Sequence, residues 1–288
     1  MILDKHQMTE EDDIKLNFIT PAILAHWQNK VTMETRITDG RINIRGNLVA
    51  RESPKKADYV LWLNRGKPIA VVEAKDNNHS VSYGLQQAII YAQMLDVPFA
   101  YSSNGDGFWE HDFLTGQERD LSLDEFPTPE ELTARWEQNA NGGVGVSENE
   151  KTIINQPYYS DQNTYEPCYY QRNAVNRTVE AIAKGQNRLL LVMATGTGKT
   201  YTAFQIVYRL LKSGLKKKVL YLADRNILVD QSIQQDFSPL KKTIHKINFA
   251  KDDPVTITSN EVYFSLYQQL TGNDDKDEEG EDAVARFA

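Results

Sequence analysis

The chain has 288 residues, of which 40% are hydrophobic and 25% charged, an ordinary globular composition with room for about two domains. Its net charge of −8 excludes a uniformly basic nucleic-acid-binding coat but leaves room for local basic grooves. The single cysteine, Cys168, cannot form an internal disulfide, and no apolar run reaches the ~18 residues of a membrane span, so we expect a cytoplasmic protein without membrane segments.

The first predicted element is a helix over residues 9–27. It opens with Thr9 and four acidic residues, and apolar residues then recur at helical spacing. Acidic side chains in a first turn interact favourably with the helix dipole, which is a sufficient reason for their presence. Pro21 predicts a break or kink, because proline lacks the N–H of the helical hydrogen bond. A strand and a turn at Asp39-Gly40 follow within residues 31–44.

Residues 57–75 predict a β-hairpin, because two apolar, β-rich runs flank the turn sequence Asn-Arg-Gly-Lys. With a two-residue loop, Asn64 pairs with Lys67. Counting outward in that register places Asp58 directly opposite Glu73, with Cβ atoms about 5 Å apart. A loop with an odd number of residues would instead turn every side chain to the other face.

Lys75 shares a face of the second strand with Glu73, since side chains alternate along a strand. Two close carboxylates repel unless a cation lies between them, and Mg²⁺ prefers carboxylate and water ligands. Lys75 then has two possible roles, to orient or deprotonate a metal-bound water or to stabilise charge building on a phosphate. The group predicts phosphodiester hydrolysis. The alternative is a solvated charged face with an ordinary cross-strand ion pair.

Asp58 and Glu73-Ala74-Lys75 resemble the Asp…Glu-x-Lys signature of the PD-(D/E)xK nuclease superfamily, with Ala57 where a proline is common. The resemblance implies that Asp58, Glu73 and Lys75 are catalytic and that both carboxylates bind the metal. In its RecB-like branch a glutamate of the first helix often approaches the metal. Glu11 is the corresponding position here, with Asp13 as the rival.

Gln87 and Tyr91 resemble the Gln-x-x-x-Tyr motif of the same RecB-like branch. The two residues lie at positions i and i+4 of a predicted helix, hence on one side of it. The resemblance implies that they lie beside the site and help to hold DNA. Both are also unremarkable residues on a helix surface.

The elements after the hairpin fit the nuclease core, which requires the order strand–strand–helix–strand. A helix over residues 81–96 has apolar residues at three-and-four spacing, and a strand over 97–102 and another short strand follow. A further helix is predicted over 130–139. We expect a nuclease domain over 1–140, a mixed sheet flanked by helices, and then a glycine-rich linker over 141–168.

The second half of the chain contains a P-loop pattern. An apolar run over residues 188–193 predicts a buried parallel strand and leads through a glycine-rich loop into an amphipathic helix over 201–212. The glycines of such a loop let backbone N–H groups turn toward phosphate at a helix N-terminus. The lysine reaches the β- and γ-phosphates, and the hydroxyl of the threonine after it joins the Mg²⁺ shell. The predicted nucleotide-binding residues of this loop are Thr195, Gly196, Thr197, Gly198, Lys199 and Thr200. Met193 stands where the general pattern has glycine, which fits the helicase-like variant.

Other segments of this half resemble superfamily 2 helicases. Tyr169-Tyr170-Gln171 opens a predicted helix and resembles the adenine-reading Q-motif, which implies paired hydrogen bonds from Gln171 to adenine, although such a pair is common at helix starts. Residues 218–223 predict a strand with a helix starting directly after it, and 262–268 resemble a motif that contacts the DNA backbone.

The chain reaches Ala288, after an acidic run over residues 274–282, without an Asp-Glu-x-His Walker B segment. We therefore expect an incomplete RecA-like P-loop domain over residues 169–288, truncated before Walker B. Such a domain binds nucleotide without hydrolysing it efficiently.

A PD-(D/E)xK nuclease followed by a superfamily 2 ATPase resembles the restriction (R) subunit of type I restriction–modification enzymes, of which the chain would be an N-terminal fragment. The fold class implied is α/β. The resemblance implies ATP-driven translocation of double-stranded DNA and Mg²⁺-dependent cleavage away from the recognition site. The implied partners are methyltransferase and specificity subunits, and the implied cofactors are Mg²⁺ and ATP.

Two other functions stay open at this point. One is a repair-type nuclease–helicase, and the other is a nuclease-inactive, ATP-gated DNA-binding module. The joint presence of Asp58, Glu73 and Lys75 argues against an inactive nuclease.

Overall fold

The fold is described from a computed structural model, which places residues 11–38, 42–45, 48–51, 54–161, 166–248, 251–253 and 256–270. The chain divides into two compact units, one of residues 1–157 and 165–176, the other of residues 158–164 and 177–288. This division differs from the predicted boundaries at 140 and 168, which remain a prediction. No helix within the placed ranges is long and apolar enough to cross a membrane.

The first unit is built on a mixed sheet. Its strands are β1 (Val31–Thr38), β2 (Ile42–Arg45), β3 (Leu48–Arg51), β4 (Lys55–Asn64), β5 (Lys67–Ala74), β6 (Phe99–Ser103), β7 (Gly107–Asp112) and β8 (Gln117–Ser122). The six-stranded sheet has the order β1-β4-β5-β6-β7-β8, and β2 pairs only with β3 among the described strands. Strands β5 and β6 run parallel, and the other neighbours in the large sheet are antiparallel. The predicted mixed α/β sheet is confirmed.

Helices cover both faces of this sheet. The helices of this unit are α1 (Glu11–Ile14), α2 (Thr20–Trp27), α3 (Leu85–Leu95), α4 (Pro129–Gly143) and α5 (Glu148–Asn155), with a short 3₁₀ turn at Leu123–Glu125. Helix α6 (Tyr169–Ala183) belongs to it up to residue 176. Because side chains alternate along β4, Tyr59 and Leu61 pack with Trp27 of α2 on one face, whereas Val60 packs with Ala88 of α3 on the other. Helix α3 forms the crossover between β5 and β6, as the parallel pair requires.

The predicted hairpin register is confirmed. Strands β4 and β5 pair Asn64 with Lys67 at the turn and Tyr59 with Val72 further along, with irregularities between them around Trp62. The same register places Asp58 opposite Glu73. The two register shifts around Trp62 are in opposite directions, so the register of Asp58 and Glu73 is the one set at the turn, and their side chains share a face of the hairpin.

The N-terminal helix contains a π-helical turn, Lys15–Ile19, between α1 and α2. Ile14 and Ile19 are both fully buried although they lie five residues apart. In a regular α-helix that separation would leave them about 140° apart around the axis, whereas the wider π turn brings both toward the core. Pro21 lies in the first turn of α2, where its missing N–H is tolerated. The predicted break is wrong, because the backbone stays helical through Ile19 and Thr20; only the hydrogen-bonding pattern changes, in the π turn before the proline.

The predicted linker contains a packed helix. Helix α5 buries Ile153 and Ile154, and the Asn64 side-chain amide donates to the Ile154 carbonyl at 3.0 Å. Ser147 and Glu150 cap the helix reciprocally, and that Ser-x-x-Glu pattern is readable in the sequence. The segment thereby belongs to the first unit up to residue 157.

The second unit contains a parallel sheet. Its elements are α7 (Lys199–Lys212), β9 (Val219–Ala223), α8 (Asn226–Gln234), a 3₁₀ turn (Ser238–Thr243), β10 (Ile244–Lys246), a 3₁₀ turn (Thr256–Ser259), β11 (Val262–Leu266) and α9 (Tyr267–Leu270). The strand order is β10-β11-β9, with both pairs parallel. Phe204, Phe237 and Phe264 join helix and sheet through aromatic contacts. The strand and helix predicted from residue 218 onward are confirmed, and the acidic run over 274–282 lies outside the described residues.

The strand predicted over residues 188–193 is wrong for this structure. No strand is assigned there, and Leu190 and Val192 are 88% and 87% exposed. An isolated extended segment cannot form a ladder, and the described strands of the second unit pair only among themselves. The apolar run is therefore on the surface.

A buried charge cluster fastens α4 to strand β7. The Glu110 carboxylate is fully buried and accepts two hydrogen bonds from Arg135 at 2.8 Å, two from Arg119 at 2.9 and 3.1 Å, and one from Tyr101 at 2.5 Å. Arg135 also donates to Asp112 at 2.8 Å. Burial by itself would raise the pKa of Glu110, but these donors outweigh it and lower the pKa to about 2.

We expect Arg135→Met to lower the free energy of unfolding by about 3 kcal/mol at pH 7, because it leaves the buried Glu110 charge short of a partner. The pKa of Glu110 is depressed in the folded state, so its contribution is present above about pH 4.5 and is lost as pH falls toward 2. The difference from the wild type should therefore shrink in acid. Urea unfolding at pH 7 and pH 3 measures this.

The matched control is Arg65→Met, which removes an exposed ion pair with Glu166. We expect it to cost less than about 1 kcal/mol at either pH. Equal losses for the two variants would contradict a structural role for the buried cluster.

Candidate active site

Asp58 lies in β4 with both carboxylate oxygens engaged. Oδ1 accepts a hydrogen bond from Lys15 Nζ at 2.5 Å, and Oδ2 accepts one from the backbone N–H of Ala74 at 2.8 Å. The second contact crosses the hairpin from β5. Asp58 is thereby held at the point where the two strands bring the predicted catalytic residues together.

Glu73 is almost completely buried, and its Oε1 has no hydrogen-bond partner among the described residues. Burial, with the nearby Asp58 carboxylate adding to it, raises the pKa of Glu73 to about 9, while the Lys75 ammonium acts in the opposite direction. A buried carboxyl oxygen without a partner is costly in a protein interior. It is the kind of donor atom that a hard divalent cation accepts as a ligand.

Lys75 follows the end of β5. Its backbone N–H donates to Ser103 of β6 at 2.8 Å, and its ammonium lies 3.7 Å from Glu11 Oε2. A Cβ atom at Gly84 would come within 3.3 Å of Lys75 Cγ, so glycine lets the loop before α3 pass close to the lysine. The stem of the lysine thereby lies close to the backbone at Gly84.

Gln87 and Tyr91 lie on one side of α3, and Gln87 Nε2 donates to the Tyr91 hydroxyl at 3.3 Å. Tyr91 is buried. Burial raises the pKa of its hydroxyl, and the carboxylates of Glu73 and Asp58 raise it further. The predicted pair therefore stands within electrostatic range of the two acids.

Lys15 is the residue of this site that sequence reasoning missed. Its ammonium contacts Asp58, Glu11 Oε1 at 2.9 Å and Glu34 Oε1 at 3.3 Å, and its side chain is only 8% exposed. A single lysine in a helix next to acidic residues gives no signal beyond an ordinary i,i+4 pair. Its contact with Asp58 joins two residues that are 43 positions apart in the chain, so it depends on the tertiary fold.

The predicted metal ligands Asp58, Glu73 and Glu11 are not assembled as a three-carboxylate set. No group of three or more His, Cys, Asp or Glu side chains in the described part of the chain is arranged to hold a metal ion. Lys15 stands between Asp58 and Glu11 instead. Asp13, the rival to Glu11, is exposed, whereas Glu11 contacts both lysines of the site.

The predicted nucleotide site precedes α7. Residues 195–197 turn immediately before the helix, and Gly196 and Gly198 both have φ of 77°, a conformation that favours glycine. The ammonium of Lys199 donates to the carbonyls of Met193 at 3.4 Å and Ala194 at 3.1 Å, curling back over the loop. Thr200 follows in the first turn of the helix.

Gln171 lies in the first turn of α6. Its Oε1 accepts a hydrogen bond from the backbone N–H of Cys168 at 2.9 Å, which satisfies a donor at the start of the helix. The residue therefore has a local capping role. It belongs to the first unit, whereas the glycine-rich loop belongs to the second.

Two protein families match consecutive parts of the chain. The type I restriction enzyme R protein N terminus matches residues 11–119, and the type III restriction enzyme res subunit matches residues 164–286. Between them they include the hairpin, helix α3 and the glycine-rich loop.

Two curated relatives and one solved structure extend this similarity. The chain is 45% identical over 272 residues to the type I restriction enzyme EcoAI endonuclease subunit of Escherichia coli, covering 91% of this chain and 32% of the relative. It is 31% identical over 225 residues to the EcoKI endonuclease subunit of E. coli strain K12, covering 62% of this chain and 18% of that protein. The chain thus spans a third or less of these relatives.

The solved structure is a fragment of an HsdR subunit of a type I restriction enzyme from Vibrio vulnificus YJ016. It is similar to this chain with a TM-score of 0.75 and 36% identity, over 91% of this chain and 48% of that one.

We expect Glu73→Gln to raise the melting temperature by several degrees at pH 8 when no divalent ion is present. The pKa of Glu73 is raised to about 9 in the folded state, so its contribution to stability is complete below about pH 4.5 and falls as pH rises toward 9. Glutamine has no charge to bury, and the gain should vanish near pH 5. Thermal unfolding in chelator at both pH values measures this.

Glu130→Gln, at an exposed position of α4, is the matched control and should change the melting temperature little at either pH. A Glu73→Gln variant less stable than the wild type at pH 8 would show that the carboxylate has a partner that the geometry does not reveal.

Proposed function

Because the chain belongs to the family of type I restriction enzyme R proteins, we propose that it carries the Mg²⁺-dependent endonuclease site and part of the ATP-dependent DNA translocase of such an enzyme. The observation that carries the proposal is the meeting of Asp58 and Glu73 across β4 and β5 beside Lys75, with Glu73 Oε1 buried and unpartnered among the described residues. The reaction is hydrolysis of a DNA phosphodiester bond.

The donor set fits Mg²⁺. Asp58 and Glu73 would hold the ion, since both offer carboxylate oxygens and one such oxygen has no other described partner. Glu11 does not join them in this arrangement, because it forms ion pairs with Lys15 and Lys75. When bound, Mg²⁺ would lower the pKa of a water molecule and stabilise negative charge on the phosphate.

The chain's own residues supply the remaining functions. Lys75 brings a positive charge and three N–H donors toward the scissile phosphate or the attacking water, and Gly84 limits where its stem can go. Gln87 and Tyr91 hold the DNA strand from α3 through their linked polar groups. Lys75 lies directly after strand β5, and Gln87 and Tyr91 lie in helix α3, which favours a precise geometry of the site.

The second site binds ATP. The positive φ angles of Gly196 and Gly198 would let backbone N–H groups turn toward a phosphate at the N-terminus of α7, whose dipole adds to the attraction. Lys199, which donates to two carbonyls of the loop here, would bind the β- and γ-phosphates, and the Thr200 hydroxyl would join the shell of the accompanying Mg²⁺. Thr195 and Thr197 complete the loop.

The substrate is double-stranded DNA, cut away from the recognition sequence, and the protein acts in the cytoplasm. Recognition and methylation belong to specificity and methyltransferase subunits, the partners with which R proteins of this type assemble. The net charge of −8 supports this division, because a chain with that charge gains DNA affinity from local basic groups, Mg²⁺ and partners rather than from its whole surface.

We expect Lys75→Ala, in the assembled enzyme, to abolish DNA cleavage and to leave ATP turnover unchanged. The substitution removes the charge beside Asp58 and Glu73 but not the P-loop. Cleavage of a circular plasmid and phosphate release from ATP are measured on the same samples. Loss of both activities, or of neither, would contradict separate sites.

We expect Lys199→Ala to stop ATP-dependent translocation and the cleavage that depends on it, because the β- and γ-phosphates lose their cationic partner. Displacement of a DNA triplex by the moving enzyme reports translocation directly. Lys212→Ala, at the far end of α7, is the control. ATP-stimulated cutting by the Lys199 variant would show that the motor lies elsewhere.

A further inference from the structure

Lys15 is a buried cation that the proposed reaction does not use. Its ammonium lies between Asp58 and Glu11, 2.5 Å and 2.9 Å from their oxygens. The π turn that begins at Lys15 fixes its backbone, because Ile14 and Ile19 on either side are both anchored in the core. Single π turns in helices are uncommon and occur frequently at functional sites.

The acceptors around Lys15 form an inner and an outer set. Asp58, the inner acceptor, is 12% exposed. Glu34 and Asp12, the outer acceptors, are 53% and 96% exposed and lie 3.3 Å and 4.0 Å from the same ammonium. The flexible lysine stem allows the ammonium to move outward and still keep carboxylate partners. Its positive charge therefore stays paired when it leaves Asp58.

Glu34 is held in this outer position by an unusual backbone. It lies in β1 between Met33 and Thr35, which pair with Tyr59 and Ala57 and thereby place Glu34 level with Asp58. Its φ of 49° is in the left-handed region that residues with side chains rarely adopt. Strain of this kind persists where surrounding contacts demand it and clusters at functional sites.

We propose that Lys15 is the resident counter-ion of the metal site, neutralising Asp58 and Glu11 when no divalent ion is bound and competing with Mg²⁺ for Asp58. On metal binding the ammonium shifts to Glu34 and Asp12. This proposal rests on the proposed function, because it assumes that Asp58 is a metal ligand.

The competition has a consequence for both states of the site. Without metal, the Lys15 ammonium offsets the repulsion between the carboxylates of Asp58 and Glu11, which stabilises the fold. With metal, its positive charge repels the ion, so the affinity for Mg²⁺ is held below what the carboxylates alone would provide. Mg²⁺ therefore occupies the nuclease site only when its free concentration is high or when bound DNA adds to its affinity.

The test is the affinity of the whole chain for Mg²⁺, measured by isothermal titration calorimetry without nucleotide so that the P-loop site is not loaded. We expect Lys15→Met and Lys15→Gln to bind Mg²⁺ about tenfold or more tightly than the wild type, because a cation is removed from the immediate surroundings of the ion. Lys151→Gln, in a surface pair with Glu137, is the matched control and should not change the affinity.

A second measurement tests the outward shift. Glu34→Gln removes the outer acceptor, so it should weaken Mg²⁺ binding when Lys15 is present and have no effect in the Lys15→Met background. Thermal unfolding of Lys15→Met should show a lower melting temperature than the wild type in chelator and recovery in saturating Mg²⁺.

Equal or weaker Mg²⁺ binding by both Lys15 variants, with normal binding by the wild type, would overturn the proposal and leave Lys15 as a residue that positions Asp58. If Lys15→Met does not fold, Lys15→Gln and Glu34→Gln decide the question, because each keeps a polar side chain in place. Absence of binding in the wild type and in every variant would overturn the metal site itself, and with it the proposed nuclease function.

Discussion

The proposed nuclease site depends on one constraint, the juxtaposition of two carboxylates across a β-hairpin in a place where one of them has little access to water. Asp58 is held by Lys15 and by the Ala74 N–H, while Glu73 is buried with an unpartnered oxygen within the described structure. A protein gains no stability from such an arrangement. A divalent cation bound by the unpartnered oxygen would compensate this cost, as the proposed function requires.

The same sheet contains a second buried carboxylate with the opposite environment. Glu110 is surrounded by donors from Arg119, Arg135 and Tyr101, which lower its pKa to about 2, whereas the pKa of Glu73 is raised to about 9. One carboxylate is fully satisfied and fastens a helix to the sheet. The other is left partly unsatisfied at the end of a strand, which is the pattern expected of a functional group rather than a structural one.

The two proposed sites rely on different kinds of positioning. The nuclease site is assembled from side chains of α1, β4, β5 and α3, so its geometry depends on long-range packing. The nucleotide site is a contiguous loop whose shape is determined by positive φ angles at Gly196 and Gly198 and by the helix that follows. This difference explains why the second is recognised in a short stretch of sequence, whereas the first needs residues separated by tens of positions.

The sequence by itself determined the elements whose signals are local. Alternation and the turn at residues 64–67 predicted the hairpin and its register, and hence the meeting of Asp58 with Glu73, and apolar spacing predicted α3. The strand predicted over residues 188–193 failed because a strand needs a neighbour that local sequence does not specify.

Tertiary structure alone decided the remainder. The five-residue gap between Ile14 and Ile19 became a π turn because both side chains reach the core, and that turn placed Lys15 against Asp58. The strained backbone of Glu34 had no sequence signal either. These features arise from contacts between elements distant in the chain, where packing and charge pairing outweigh local preference, so no local pattern could have predicted them.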